Sequence, residues 1–97
     1  MTTDLKSYDL AERLTDETEI YHYLDAAFED GDPALIKAAL NDVARARGMT
    51  EIARQAGMSR AGLYRALGED GNPSLENLSG ILSAFGMRLS VRKTEAA

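Results

Sequence analysis

No cysteine occurs in this 97-residue chain. Disulfide bridges and thiolate metal sites are therefore excluded, and the fold has to be held by packing and hydrogen bonding alone. A run of the roughly 18 to 20 apolar residues that a membrane span needs is also missing. The opening stretch, Met1 to Leu10, lacks the basic segment and apolar core of a secretory signal. The expectation is a soluble, cytoplasmic protein with no membrane contact. Only one histidine is present, His22, which stands between Tyr21 and Tyr23 with no clear nucleophile near it in sequence. His22, Asp25 and Glu29 fall on adjoining helical turns, but one imidazole with two carboxylates on an acidic helix is a poor metal set. No metal, cofactor or enzymatic activity is expected. The stretch from Gly68 to Gly71 has no strand before it and no Gly-Lys-Ser/Thr after it, so it reads as a turn and not as a phosphate loop.

What is present is charge, unevenly placed. A net charge of -5 speaks against DNA binding when taken as one number, because phosphate contacts need Lys and Arg. Residues 1–32, however, hold ten acids and two bases, and residues 33–97 hold six acids and nine bases, so the two parts carry -8 and +3. Either the two parts face different partners, or the acidic one is simply a solvated helix face. The length suits one domain, expected over residues 16–92, with an N-terminal arm at 1–15 and a short tail at 93–97.

Local signals divide that domain into helices. Asp16 with Glu19 three residues on resembles a capping box, and Ile20, Leu24, Ala27 and Phe28 recur at helical spacing up to Gly31. Asp32 can cap a second helix with Pro33 at its first position, where the missing N–H costs nothing. Ile36, Ala39, Leu40 and Val43 form its apolar stripe, and Arg45 and Arg47 close it before Gly48, as helix-end cations or as phosphate contacts. Two short helical segments follow, Met49 to Ala56 and Ser59 to Leu67. After a Gly-rich break, Ser74 can cap a last helix carrying Leu75, Leu78, Ile81, Leu82 and Phe85. Met87, Leu89 and Val91 then alternate with Arg88, Ser90 and Arg92, the period of a half-buried strand. Such a strand is expected to pair with residues near the N-terminus or with its copy in a second subunit, which makes these three apolar residues candidates for dimerisation; the other reading is a loosely packed tail. The fold class expected is all-α: five helices with a short C-terminal β-strand.

The segment Met49 to Leu67 reads MTEIARQAGMSRAGLYRAL, a spacing that suits two helices crossing steeply through a turn of three or four residues. Ala53 is small where the helices approach, and Gly57 supplies the left-handed backbone that ends the first. Ile52, Ala56, Met58, Leu63 and Ala66 form a shared apolar seam, with Met49, Met58 and Met87 better read as core packing than as a partner surface. Ser59 begins the second helix, where its hydroxyl can cap the free N–H groups or meet a phosphate. With Leu63 and Ala66 facing the core, helical geometry turns Arg60, Ala61, Tyr64 and Arg65 outward. The two arginines can fork onto guanine edges or clamp phosphates, Ala61 and Gly62 keep the surface low, and Tyr64 can stack on sugar or touch a thymine methyl.

The arrangement Ala53, Gly57, Ser59, Leu63 resembles the lambda-repressor/Cro-like helix-turn-helix family. The stretch from about Tyr8 to Arg92 is similar to the HigA-like antidote (antitoxin) proteins of toxin–antitoxin modules, on the phrases YDLAERLTDETEIYHYLDAAFEDGDPALIKAALNDVARARGMTEIA, GMSRAGLYRALGEDGNPSLENL and LSAFGMRLSVR. The resemblance implies a positioning helix at Met49 to Ala56 and a recognition helix holding Arg60, Ala61, Tyr64 and Arg65, with Thr50 and Ser59 approaching the DNA backbone. One departure is that Met49, Thr50 and Glu51 stand where the repressor family often has Gln. The implied protein is a homodimer that represses its own operon on double-stranded operator DNA and neutralises a small basic RelE/ParE-like toxin. A stand-alone repressor without a toxin is the alternative. If the acidic part holds the toxin, Asp16, Glu17, Glu19, Asp25, Glu29 and Asp30 are the candidate contacts, since a segment of -8 attracts a positively charged partner.

Overall fold

The computed structural model describes residues 14–95. Five helices form among them: α1 Glu17–Asp30, α2 Pro33–Arg47, α3 Met49–Ala56, α4 Arg60–Leu67 and α5 Leu75–Ala84. Four of the five starts are capped by a side chain, and α3, which follows Gly48, has no such cap. Asp16 accepts the N–H of Thr18 at 2.8 Å and of Glu19 at 3.2 Å, Asp32 accepts that of Ala34 at 3.0 Å ahead of Pro33, and Ser59 and Ser74 accept those of Gly62 and Asn77 at 2.9 and 3.0 Å. These bonds satisfy donors that a helix start otherwise leaves unpaired.

The apolar stripes of the helices meet in one core. Leu40, Val43 and Ala44 of α2, Leu63 of α4 and Ile81 of α5 have no solvent exposure, and Ile20, Leu24, Met49, Ile52, Ala53 and Phe85 join them. Helix α1 packs on α2, α2 on α3 and α4, and α3 on α4 and α5. Leu14, ahead of α1, is also in this core. The core therefore takes in a residue of the expected arm. The rest of the expected arm, residues 1–13, lies outside the described residues. No helix among the described residues is long and apolar enough to cross a membrane.

The expected C-terminal strand is not present among the described residues. After α5 the chain turns at Gly86, whose N–H bonds to Ser83 O at 2.9 Å while that of Met87 bonds to Leu82 O at 2.8 Å. This bonding is the Schellman pattern. Residues 88–94 then run without helix or strand. A strand needs a partner backbone, and none of the described segments supplies one. Of the alternating residues, Met87 is half-buried against the core, whereas Val91 is 95 % exposed.

One polar bond crosses the core's edge. The Tyr23 hydroxyl of α1 donates to Asp42 Oδ2 of α2 at 2.7 Å. Burial, then the hydrogen bond to Asp42 and the carboxylate's charge, push the phenol up to about 12. Because the folded value is raised, the contact contributes fully below the ordinary phenol value of about 10 and is lost as pH rises toward the folded one. Tyr23→Phe should therefore lower stability by roughly 1 kcal/mol at neutral pH. Thermal unfolding of both proteins checks this: the gap between them should close between about pH 10 and pH 12.

Candidate nucleic-acid interface

Helices α3 and α4 are joined by Gly57, Met58 and Ser59. The turn is tight because Gly57 takes φ 74°, a left-handed conformation that costs glycine little. Its N–H bonds to Arg54 O at 3.1 Å and that of Met58 to Ala53 O at 2.8 Å, closing α3 with a Schellman motif. Met58 is half-buried and packs against the core. Ala53, Ile52 and Leu63 are buried between the two helices and their neighbours.

Seated on Leu63 and Leu67, α4 presents Arg60, Ala61, Tyr64 and Arg65 to solvent, all exposed. At 100° per residue these four cover an arc of about 140° that begins beside Leu67 and runs away from Leu63. The structure therefore brings them onto one surface. Thr50 and Ser59 are exposed too. The Ser59 oxygen is the acceptor for Gly62 N–H, as the capping reading expected, and its hydroxyl hydrogen can still be donated outward.

The charges of this surface are not equivalent. On α3, Arg54 binds both oxygens of Glu51, one of them through Nε at 3.3 Å, and Gln55 donates to the same carboxylate at 2.8 Å. These bonds, Arg54's first and Gln55's second, hold the Glu51 carboxyl below its ordinary value. Arg54 is thereby matched. Arg60 and Arg65 make no ion pair among the described residues, so the unbalanced positive charge lies on α4. Arg60 instead lies over the ring of Tyr64, 5.5 Å from its centroid, with its Nη2 3.5 Å from the phenol oxygen.

Two contacts that position this surface are absent from the sequence reading. Lys37 of α2 donates to Gly71 O at 2.6 Å and to Glu69 O at 3.1 Å, tying down the loop that leaves α4. Helix α5 crosses the end of α3 at Gly80, where a Cβ would come within 2.9 Å of Ala56 O. Gly80→Ala should force α3 and its turn aside and cost about 1–3 kcal/mol, as overpacking usually does. Urea unfolding measures it. A lone Gly inside a helical pattern gives no signal of its partner.

The acidic candidates are dispersed along α1. Asp16 spends its carboxylate on the helix cap, and Asp30 accepts Asp32 N–H at 3.3 Å. Glu19 and Asp25 are half-buried, and Glu17 and Glu29 are exposed. Asp25 and Glu29 join Tyr21 and Phe28 along one wall of an open groove whose other wall is the segment after α5, with Arg88 and Arg92. Arg92 approaches Asp25 to 4.0 Å at a solvent-exposed edge. His22 is exposed, its ring tilted against that of Tyr21.

Among the described residues the protein is all-α, and α3, a three-residue turn and α4 carry an exposed helix face with two arginines free of ion pairs. The chain belongs to the family described as probable addiction module antidote protein, whose model matches residues 4–93. Membership implies a toxin that the antidote counteracts. The chain is also similar to an uncharacterized protein of Haemophilus influenzae, 43 % identical over 97 residues with 100 % of both chains covered. No solved structure matches it.

Proposed function

We propose that this antidote neutralises a small basic toxin of the RelE/ParE type by direct binding, and that as a homodimer it represses its own operon through α3 and α4. The observation that carries the DNA-binding half is the outward face of α4, where Arg60 and Arg65 are exposed and free of carboxylate partners among the described residues. Arginine forks suit guanine O6 and N7 in the major groove, and the N-terminus of α4 beside Ser59 and Arg60 suits a phosphate. Thr50 and Ser59 would approach the backbone and Arg60, Ala61 and Arg65 the bases, with Tyr64 on the same face of α4. A dimer would place two such helices about one DNA turn apart on a pseudo-palindromic operator. Leu89 and Val91, exposed beyond α5, suit pairing with a second copy, with Met87 anchoring the segment to its own core.

Support for the basic toxin is electrostatic. Residues 1–32 carry -8, and a nuclease that must hold RNA carries the opposite sign. Asp16, Glu17, Glu19, Asp25, Glu29 and Asp30 are its proposed contacts.

The experiment is affinity capture of the tagged chain from cells that also express the small reading frame beside its gene, followed by binding of the captured material to its own promoter duplex. A basic partner in fixed ratio, loss of that partner's toxicity, and promoter affinity that falls steeply with salt are the expected results. Recovery of the homodimer alone, with promoter binding intact, removes the toxin and leaves a stand-alone repressor. A partner captured without promoter binding removes the repressor.

A further inference from the structure

The Arg60 side chain is long, exposed and without a carboxylate partner among the described residues, so its guanidinium has many positions open to it. A side chain in that condition loses rotamer freedom when it docks on a base edge, which weakens the contact it makes. Tyr64 limits that freedom. It stands one helical turn further along α4, so it shares a face with Arg60. The guanidinium lies 5.5 Å from its ring centroid, with Nη2 3.5 Å from its hydroxyl oxygen. Tyr64 is itself stiffer, with two rotatable side-chain bonds, and is 41 % exposed, which leaves the ring partly supported by the body of the protein.

We propose that Tyr64 is a positioning residue for Arg60: its ring face holds the guanidinium in one place on the outer surface of α4, so that Tyr64 contributes to DNA affinity and base selectivity through Arg60 and not through a contact of its own. The inference rests on the reading that α4 meets DNA. The ring face attracts the cation through its quadrupole, and at an exposed site that attraction shifts an equilibrium by about two- to five-fold. The hydroxyl, at the limit of hydrogen-bond distance, adds little. The ring is therefore the working part, and phenylalanine should replace tyrosine here whereas leucine should not.

The test is a double-mutant cycle on the full chain, with the duplex of its own promoter and a set of duplexes carrying single base-pair changes as probes. Tyr64→Leu should weaken promoter binding about two- to five-fold and flatten selectivity at the base pair that Arg60→Ala also flattens. In the Arg60→Ala background the same change should have almost no further effect, because coupled residues are not additive. Tyr64→Phe should restore the affinity and selectivity of the unaltered chain. A Tyr64→Leu effect of equal size in both backgrounds overturns the proposal in favour of a direct contact. No effect in either background also overturns it. Failure of the unaltered chain to bind its promoter duplex removes the DNA reading itself, a result distinct from both. Circular dichroism of each variant excludes loss of α4 as the cause.

Discussion

Arg60→Ala with Arg65→Ala in the same chain should abolish selective binding to the promoter duplex, leaving affinity no better than for an unrelated sequence. Each arginine that forks onto a base edge accounts for about 1–3 kcal/mol of discrimination, so losing two weakens specific binding by roughly thirty-fold or more. The two are five residues apart on α4 with no shared partner, and Arg54, on α3, already shares the Glu51 carboxylate. Electrophoretic or fluorescence titration at several salt concentrations gives the affinity, and the salt slope should fall by about one for each arginine that contacts phosphate. Capture of the toxin partner should be unchanged, since the proposed acidic contacts lie on α1 and at its start. Retained selectivity in the double variant would move the recognition surface away from α4.

The largest expected loss of stability comes from Leu63→Ala. Leu63 is wholly buried on α4, where that helix packs against α2 and α3. Truncating it removes three heavy atoms from a close-packed interior and leaves a cavity that the short helix can only partly close, a change that costs about 2–5 kcal/mol. Domains of this size are stable by roughly 5–15 kcal/mol, so the variant is folded but close to its limit. The thermal midpoint should fall by about 10 °C or more, read by calorimetry or circular dichroism. Promoter affinity should fall with it, because α4 has eight residues and is held by its packing rather than by its own hydrogen bonds. A midpoint shift of a degree or two would mean that α4 is seated by something other than Leu63.

The helices were legible because the signals that start and stop them act within four residues. Asp16, Asp32, Ser59 and Ser74 cap as their positions foretell, Pro33 opens α2, and Gly31 and Gly57 end α1 and α3. The outward placement of Arg60, Ala61, Tyr64 and Arg65 was equally legible, since it follows from helical period once Leu63 is assigned to the core. The strand expected over Met87 to Arg92 was not secured by the same reasoning. Alternation shows that one face is apolar, but a ladder depends on a second backbone that the alternating residues do not encode.

The sequence by itself determined five helix positions, the apolar seam and the exposed face of α4, all consequences of local hydrogen bonding and the 3.6-residue period. Only the tertiary structure decided which charges remain free and what holds the surface in place. Tyr23 meets Asp42 across 19 positions, Lys37 reaches Gly71 across 34, and Gly80 receives Ala56 from another helix. Those contacts join residues that no short-range pattern connects, because they exist only once the packed helices bring distant parts of the chain within a few ångströms.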